Sequence, residues 1–138
     1  MVVSEFYDRS PRGPSWHPSW AAQSSRRPFA VSVSHRHPGV TVVAVAGEVD
    51  ILTCARLERQ LEQALRDSRC RRLVVDLSKV DLLAACGIRC LHAAHTAAGP
   101  DIEMRLVVNT PPAMLTLRHL DPPPRCHVEA TLAAACRD

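Results

Sequence analysis

Residues 71–91, "RRLVVDLSKVDLLAACGIRCL", decide the fold. The first seven form a short apolar run bounded by charge, which suits a strand buried on both faces of a parallel sheet. Beyond them Ile88, Leu91, Ala94 and Ala98 recur at helical spacing until Gly99-Pro100 ends the pattern, predicting a helix from about Gly87 to Ala98. Between strand and helix stands Ala84-Ala85-Cys86-Gly87. Helix amides converge at such a junction, so it can carry a nucleophile, a phosphate site or a partner surface. Here it offers two alanines and a thiol.

Upstream, "FAVSVSH" from Phe29 alternates, "RHPG" supplies a turn, and "VTVVAVAG" is a β-branched run that stops at Gly47. Together they read as an antiparallel hairpin whose second strand is central. "EVDILT" then leads into "CARLERQLEQALRDS", where Leu57, Leu61, Ala64 and Leu65 share one face of an amphipathic helix with Thr53 as its N-cap. Downstream come a strand in "MRLVVN", a helix in "TPPAMLTLRHL", a short strand at Cys126–Val128 and a terminal helix in "EATLAAAC". The order β-β-α-β-α-β-α-β-α predicts an α/β fold: a mixed, mostly parallel sheet of about five strands with about four helices. Ligand or partner surfaces in such sheets lie beyond the carboxyl ends of parallel strands, here the loops after Gly47 and Leu77.

A chain of 138 residues fits one domain, divided as a Pro/Ser-rich flexible tail over residues 1–28 and a folded unit over residues 29–138. The tail holds four prolines and six serines without helical or strand periodicity, so ordering it would cost entropy with little burial in return. Trp16 and Trp20 are its two candidate anchors. Aromatic residues are only 4% of the chain, so the core must be aliphatic. Net charge is +3, of which the tail supplies +2 (four arginines against Glu5 and Asp8), leaving the folded unit near neutral. With Lys79 as the single lysine and no basic stripe interleaved with aromatics, the composition argues against a nucleic-acid partner. No segment reaches transmembrane length and the first thirty residues hold no signal-type apolar core, which predicts a cytoplasmic protein without a membrane partner and with its six cysteines reduced.

"GEVDILT" (47–53) resembles the Gly-Glu-Leu-Asp-x-x-Thr segment of STAS domains, the family named for sulfate transporters and anti-sigma factor antagonists. "VVDLSKVDLLAACGIRCLHAAH" resembles its second segment, Asp-Leu-Ser-x-Val-x-Phe-[Leu/Met]-Asp-Ser-Ser-Gly-[Leu/Ile], and "LVVNTPPAMLTL" its third-helix segment. The resemblance runs from about Phe29 to Cys136 and implies the STAS fold. For anti-sigma factor antagonists it implies a binding protein that engages an anti-sigma factor, itself a serine protein kinase, and frees a sigma factor. Phosphorylation of the serine just before the second-helix glycine switches that binding off. Carried across, Asp50, Thr53 and Gly87 match the motif, while Ala84, Ala85 and Cys86 stand in place of Asp, Ser and the phosphorylated Ser. The implied partner surface comprises Asp50, Thr53, Ala84, Ala85, Cys86 and Gly87 with Arg89 and His92 on the following helix. A serine kinase cannot phosphorylate Cys86 as it would serine. The third helix also departs, since "RHLDPPP" lacks the family's Leu-Thr-Gly-Leu ending.

Other chemistry is weaker on the same residues. Cys86 at a helix start could serve as a redox thiolate with Cys90, one turn on, as resolving partner, giving a redox-sensing or scaffold STAS protein as the alternative reading. Cysteine catalysis would need a base and an orienting group, and nothing in the sequence aims His92 or His95 at Cys86, so no enzyme is expected. There is no Cys-x-x-Cys pair and His92/His95 is a lone helical pair, so no metal and no cofactor are expected. Glu48 and Asp50 read as strand end and loop start rather than as an acid–base pair, and Ser78 as a turn residue.

Overall fold

The computed structural model describes residues 27–36 and 38–137; the tail reading, with Trp16 and Trp20, falls outside them. The elements follow the predicted order: β1 (Ala30–Arg36), β2 (Val40–Val49), α1 (Cys54–Arg66), β3 (Arg72–Leu83), α2 (Ala85–Ala98), β4 (Glu103–Val107), α3 (Pro111–His119), β5 (His127–Glu129) and α4 (Leu132–Cys136). One five-stranded sheet runs β1-β2-β3-β4-β5, antiparallel between β1 and β2 and parallel thereafter.

Strand alternation divides the core between the two faces of the sheet. Val43 and Val45 of β2, Leu73, Val75 and Leu77 of β3, and Met104 and Leu106 of β4 pack with Leu57 and Leu61 of α1, Ile88 and Leu91 of α2, and Ala113 and Leu117 of α3. The opposite face is smaller: Val40, Val42, Val74 and Val107 meet Ala135 of α4. A helix of five residues is too short to persist on propensity alone. Side chains from the sheet hold its end, since Arg72 Nη1 donates to the Arg137 carbonyl at 2.7 Å and Arg105 Nη1 to the same oxygen at 2.7 Å. Glu103 sits between the two guanidinium groups, accepting from Arg72 Nε at 2.9 Å and Arg105 Nε at 2.8 Å. Burial pushes its carboxyl up, but these two hydrogen bonds outweigh burial and hold it below its ordinary value.

Two predicted boundaries move, and both moves matter to the site. β2 continues past Gly47 to Val49, and β3 continues past Leu77 to Leu83. The polar residues of "SKVD" resemble a loop in sequence, but they lie in a bulged strand: the pairing shifts from Ala44↔Asp76 to Ala46↔Lys79 and again to Glu48↔Leu82. α2 correspondingly starts at Ala85 rather than Gly87. At the other end α4 starts at Leu132, because His127–Glu129 pairs with β4 and Thr131 Oγ1 accepts from Ala134 N at 3.1 Å to cap the helix.

Gly47 carries a positive φ of +89°, and a Cβ there would lie 2.8 Å from the Arg27 carbonyl oxygen, Phe29 Cα and the Pro28 carbonyl oxygen. The segment Arg27–Phe29 therefore crosses the sheet directly over this glycine. Asp81 pins it, accepting from Arg27 N and Arg27 Nη1, both at 3.0 Å. Arg27 and Pro28, which the sequence reading assigns to the tail, thus lie against β2 and β3.

Candidate functional site

The first site loop is built by one carboxylate and one hydroxyl. Asp50 follows directly on β2, and its Oδ1 accepts from Leu52 N at 2.9 Å and Thr53 N at 3.2 Å, closing a tight turn whose backbone also bonds Cys54 N to the Asp50 carbonyl at 2.9 Å. Thr53 immediately precedes α1, yet its side chain makes no cap hydrogen bond to that helix. Its hydroxyl turns back instead, donating to the Glu48 carbonyl at 2.8 Å and accepting from Asp50 N at 2.9 Å, with the whole residue buried. The predicted cap is thus an internal brace, and Asp50 quiets the free amides of the turn. Between them Ile51 and Leu52 project outward, 85% and 52% exposed. The sequence reading did not single out these two. Their signal is two adjacent large apolar residues inside a polar turn, which no periodicity explains.

The second loop lies beside the first because β2 and β3 end as paired parallel neighbours, Val49 opposite Leu83. Ala84 N donates to the Val49 carbonyl at 2.8 Å, carrying the sheet pairing one residue into the junction. Ala84 is the N-cap of α2 with extended backbone, and an alanine has no oxygen with which to cap. Gly87, in the first turn of α2, is buried; a Cβ there would sit 2.7 Å from Leu83 Cδ1 and 2.8 Å from Val49 Cγ1, so helix and strand ends approach closely because the side chain is missing.

A disulfide joins Cys86 to Cys54, the first residue of α1, with 6.5 Å between their Cα atoms. Two expectations are corrected here. The cysteines are not all reduced, and the partner of Cys86 is Cys54 rather than Cys90. Helical geometry explains the second: Cys90 is buried toward α1, its thiol donating to the Cys54 carbonyl at 3.7 Å, while Cys86 is half-buried at the helix start. Of the other thiols, Cys70 and Cys90 are buried and Cys126 and Cys136 half-buried. Burial pushes Cys70 and Cys90 up and Cys126 to about 12.

Of the remaining predicted residues, Ala85 and Arg89 are exposed on α2 and Ala84 is half-buried. His92 is half-buried, with Nε2 donating to the Asp121 carbonyl at 3.0 Å, so its ring braces the segment after α3. Asp50, Thr53, Ala84, Ala85, Cys86 and Gly87 are brought together; Arg89 and His92 extend the surface along α2. Met114 and Leu115 of α3 are also half-exposed or more, and Thr116 Oγ1 on that helix donates to the Leu83 carbonyl at 2.8 Å, which brings α3 to the same end of the sheet. Among the described residues no three His, Cys, Asp or Glu side chains gather as a metal cage, and no helix is long and apolar enough to cross a membrane.

Among the described residues the two loops form a surface on which Ile51 and Leu52 stand exposed. The family model described as "Mlab, STAS domain" matches residues 33–120, well over half of the chain. The chain belongs to the STAS domain family. Two curated relatives, named anti-sigma-F factor antagonist RsfB in two strains of Mycobacterium tuberculosis (CDC 1551 / Oshkosh and H37Rv), are 34% identical over 71 residues. That match covers 51% of this chain and 57% of each relative, so the chain spans little more than half the length of the curated relatives it matches. Among solved structures, an anti-sigma factor antagonist from Mycobacterium paratuberculosis superposes with a TM-score of 0.71 at 29% identity, covering 78% of this chain and 91% of that one. The unphosphorylated form of the anti-sigma factor antagonist SpoIIAA superposes with a TM-score of 0.64 at 12% identity, over 77% and 92% of the two chains, a likeness of fold.

Proposed function

We propose that this STAS protein is an anti-sigma factor antagonist that acts in the cytoplasm by binding an anti-sigma factor of the serine-kinase type, thereby releasing a sigma factor, and that performs no catalysis. The observation that carries this reading is the pairing of the two motif loops at the carboxyl ends of β2 and β3, with Ile51 and Leu52 exposed beside Ala84 and Ala85. An apolar turn on a rigid frame fits a protein contact better than a small-molecule site. The names and folds of the relatives support the same partner class.

Cys86 stands where the family resemblance has the phosphorylated serine, and Ala84 where it has the neighbouring Asp. A phosphate at that helix start would bring up to about two negative charges into the contact surface, which is how a local modification ends binding. A thiol accepts no phosphate from a serine kinase. The antagonist is therefore always competent with respect to ATP.

The test is a binding screen against the host's serine-kinase anti-sigma factors with and without ATP. Binding by the natural chain that ATP leaves unchanged, together with ATP-sensitive binding by a Cys86→Ser, Ala84→Asp double variant, is the expected result. Failure to bind any such kinase in either oxidation state removes the antagonist reading.

A further inference from the structure

Resting on that reading of the surface, we propose that Cys54 and Cys86 form a reversible redox-modification site whose disulfide sets the shape of the partner surface, with a hydroperoxide as the oxidant. The two sulfurs join the starts of α1 and α2, the two helices that the motif loops feed. Neither helix has an acidic residue in its first turn, and helix N-termini favour a thiolate over a thiol. Exposure assigns the roles. Cys86 is half-buried and reachable, whereas Cys54 is only 9% exposed.

The chemistry balances as two steps. The Cys86 thiolate attacks the peroxide, cleaving the O–O bond; with one proton taken up, the products are Cys86 sulfenic acid and water or an alcohol. The Cys54 thiol then attacks that sulfur, forming the S–S bond, and its proton leaves with the expelled hydroxide as a second water. Overall two thiols lose two hydrogens and the peroxide takes up two electrons. In the reverse direction a dithiol attacks the more accessible Cys86 sulfur, expels Cys54 as thiolate at the start of α1, and ends as its own cyclic disulfide.

Its position gives the bond leverage. Without it, the Asp50–Cys54 turn and the Ala84–Gly87 junction are coupled by the Val49/Leu83 pairing and the Ala84–Val49 hydrogen bond. With it, both helix starts are tied together and the exposed Ile51-Leu52 turn is held in one geometry. A surface already fixed in its bound shape loses less entropy on docking, so the oxidised form is the tighter binder. In a reducing compartment a disulfide at a contact surface acts as a sensor of oxidant. Cys70 and Cys90 are buried and pushed up, so a titration by peroxide reaches the Cys54–Cys86 pair before these two.

The decisive experiment uses the full natural chain, fully reduced and then titrated with hydrogen peroxide. Peptide mapping under non-reducing conditions should find Cys54 linked to Cys86, and dithiothreitol without denaturant should undo the link. Hydrogen exchange on the two forms should show amides 51–54 and 85–88 exchanging on the order of tenfold faster after reduction. A link between Cys86 and Cys90, no link, a link that dithiothreitol cannot open in the folded chain, or unchanged exchange overturns the proposal. A Cys90→Ser variant, which leaves both partners in place, should behave as the natural chain does. Binding of the anti-sigma factor to the oxidised form should be about fivefold or more tighter than to the reduced form; equal affinity, or tighter binding by the reduced form, overturns it. If neither form binds any anti-sigma factor, the antagonist reading fails, and the mapping and exchange results decide the redox site by themselves.

Discussion

Replacing Gly47 by alanine attacks the crossing of Arg27–Phe29 over β2, and its cost has two separable parts. The backbone at Gly47 has φ +89°, where a residue with a Cβ is strained by about 1–3 kcal/mol. The new Cβ also meets three backbone atoms at 2.8 Å, none of which is the far end of a flexible side chain. Heavy-atom contacts of this kind settle at about 3.5–4.0 Å, so the segment must move by roughly 0.7 Å or more, an overpacking cost of about 1–3 kcal/mol. The sum, about 2–6 kcal/mol, is a large share of the roughly 5–15 kcal/mol typical of a whole domain. Urea denaturation followed by circular dichroism measures it. The second part should disappear once the segment is unpinned: in an Arg27→Ala, Asp81→Asn background the crossing can lift, and the same Gly47→Ala change should cost about 1–3 kcal/mol less. A total cost below about 1 kcal/mol, or an equal cost in both backgrounds, would refute the reasoning.

Four further outcomes follow from the geometry. Gly87→Ala should destabilise by about 1 kcal/mol in urea melts, because contacts at 2.7 and 2.8 Å with buried Leu83 and Val49 outweigh a helix-propensity gain of comparable size. Thr53→Val should cost about 1–3 kcal/mol by the same measurement, since the Asp50 amide and the Glu48 carbonyl lose their shared hydroxyl in a buried setting. Opening the Cys54–Cys86 bond, which closes a loop of sequence separation 32, should lower stability by about 3–4 kcal/mol on the chain-entropy model, read as the difference between melts with and without reductant. For Glu103 the folded pKa lies below the unfolded one, so its stabilisation is complete above about pH 4.3 and is lost as pH falls through the folded value. The urea midpoint of the natural chain should therefore drop on that acid side, and Glu103→Gln should flatten the drop.

The sequence reveals the alternation of elements because apolar runs and helical faces are local patterns, and every element from β1 to α4 appears in the expected order. What it hides is pairing. "SKVD" looks like a loop because Ser78, Lys79 and Asp81 are polar, yet two bulges against β2 keep those residues in the sheet and move the junction six residues beyond Leu77. Thr53 is legible as a residue at a helix start, but whether its hydroxyl turns forward to α1 or back to Glu48 depends on the close packing around it. Cys86 and Cys90 look like a natural pair at one helical turn. Their side chains serve different neighbours, and the true partner, Cys54, lies 32 residues away on a helix that only the parallel pairing of β2 and β3 brings near. Ile51 and Leu52 are visible as letters and carry no periodic signal, so only their exposure marks them.

The pinned crossing at Arg27 also sets how near that residue stands to the motif loops. Asp81 lies three residues before Ala84 along β3, roughly 10 Å at the usual strand rise, so a label attached at position 27 stands beside those loops. On a short flexible linker it is held at an effective concentration in the millimolar range, enough to compete with a weak partner for Ile51 and Leu52. For anyone assaying this surface, a fluorophore at position 27 is itself a candidate ligand; one on α4 starts from the other face of the sheet.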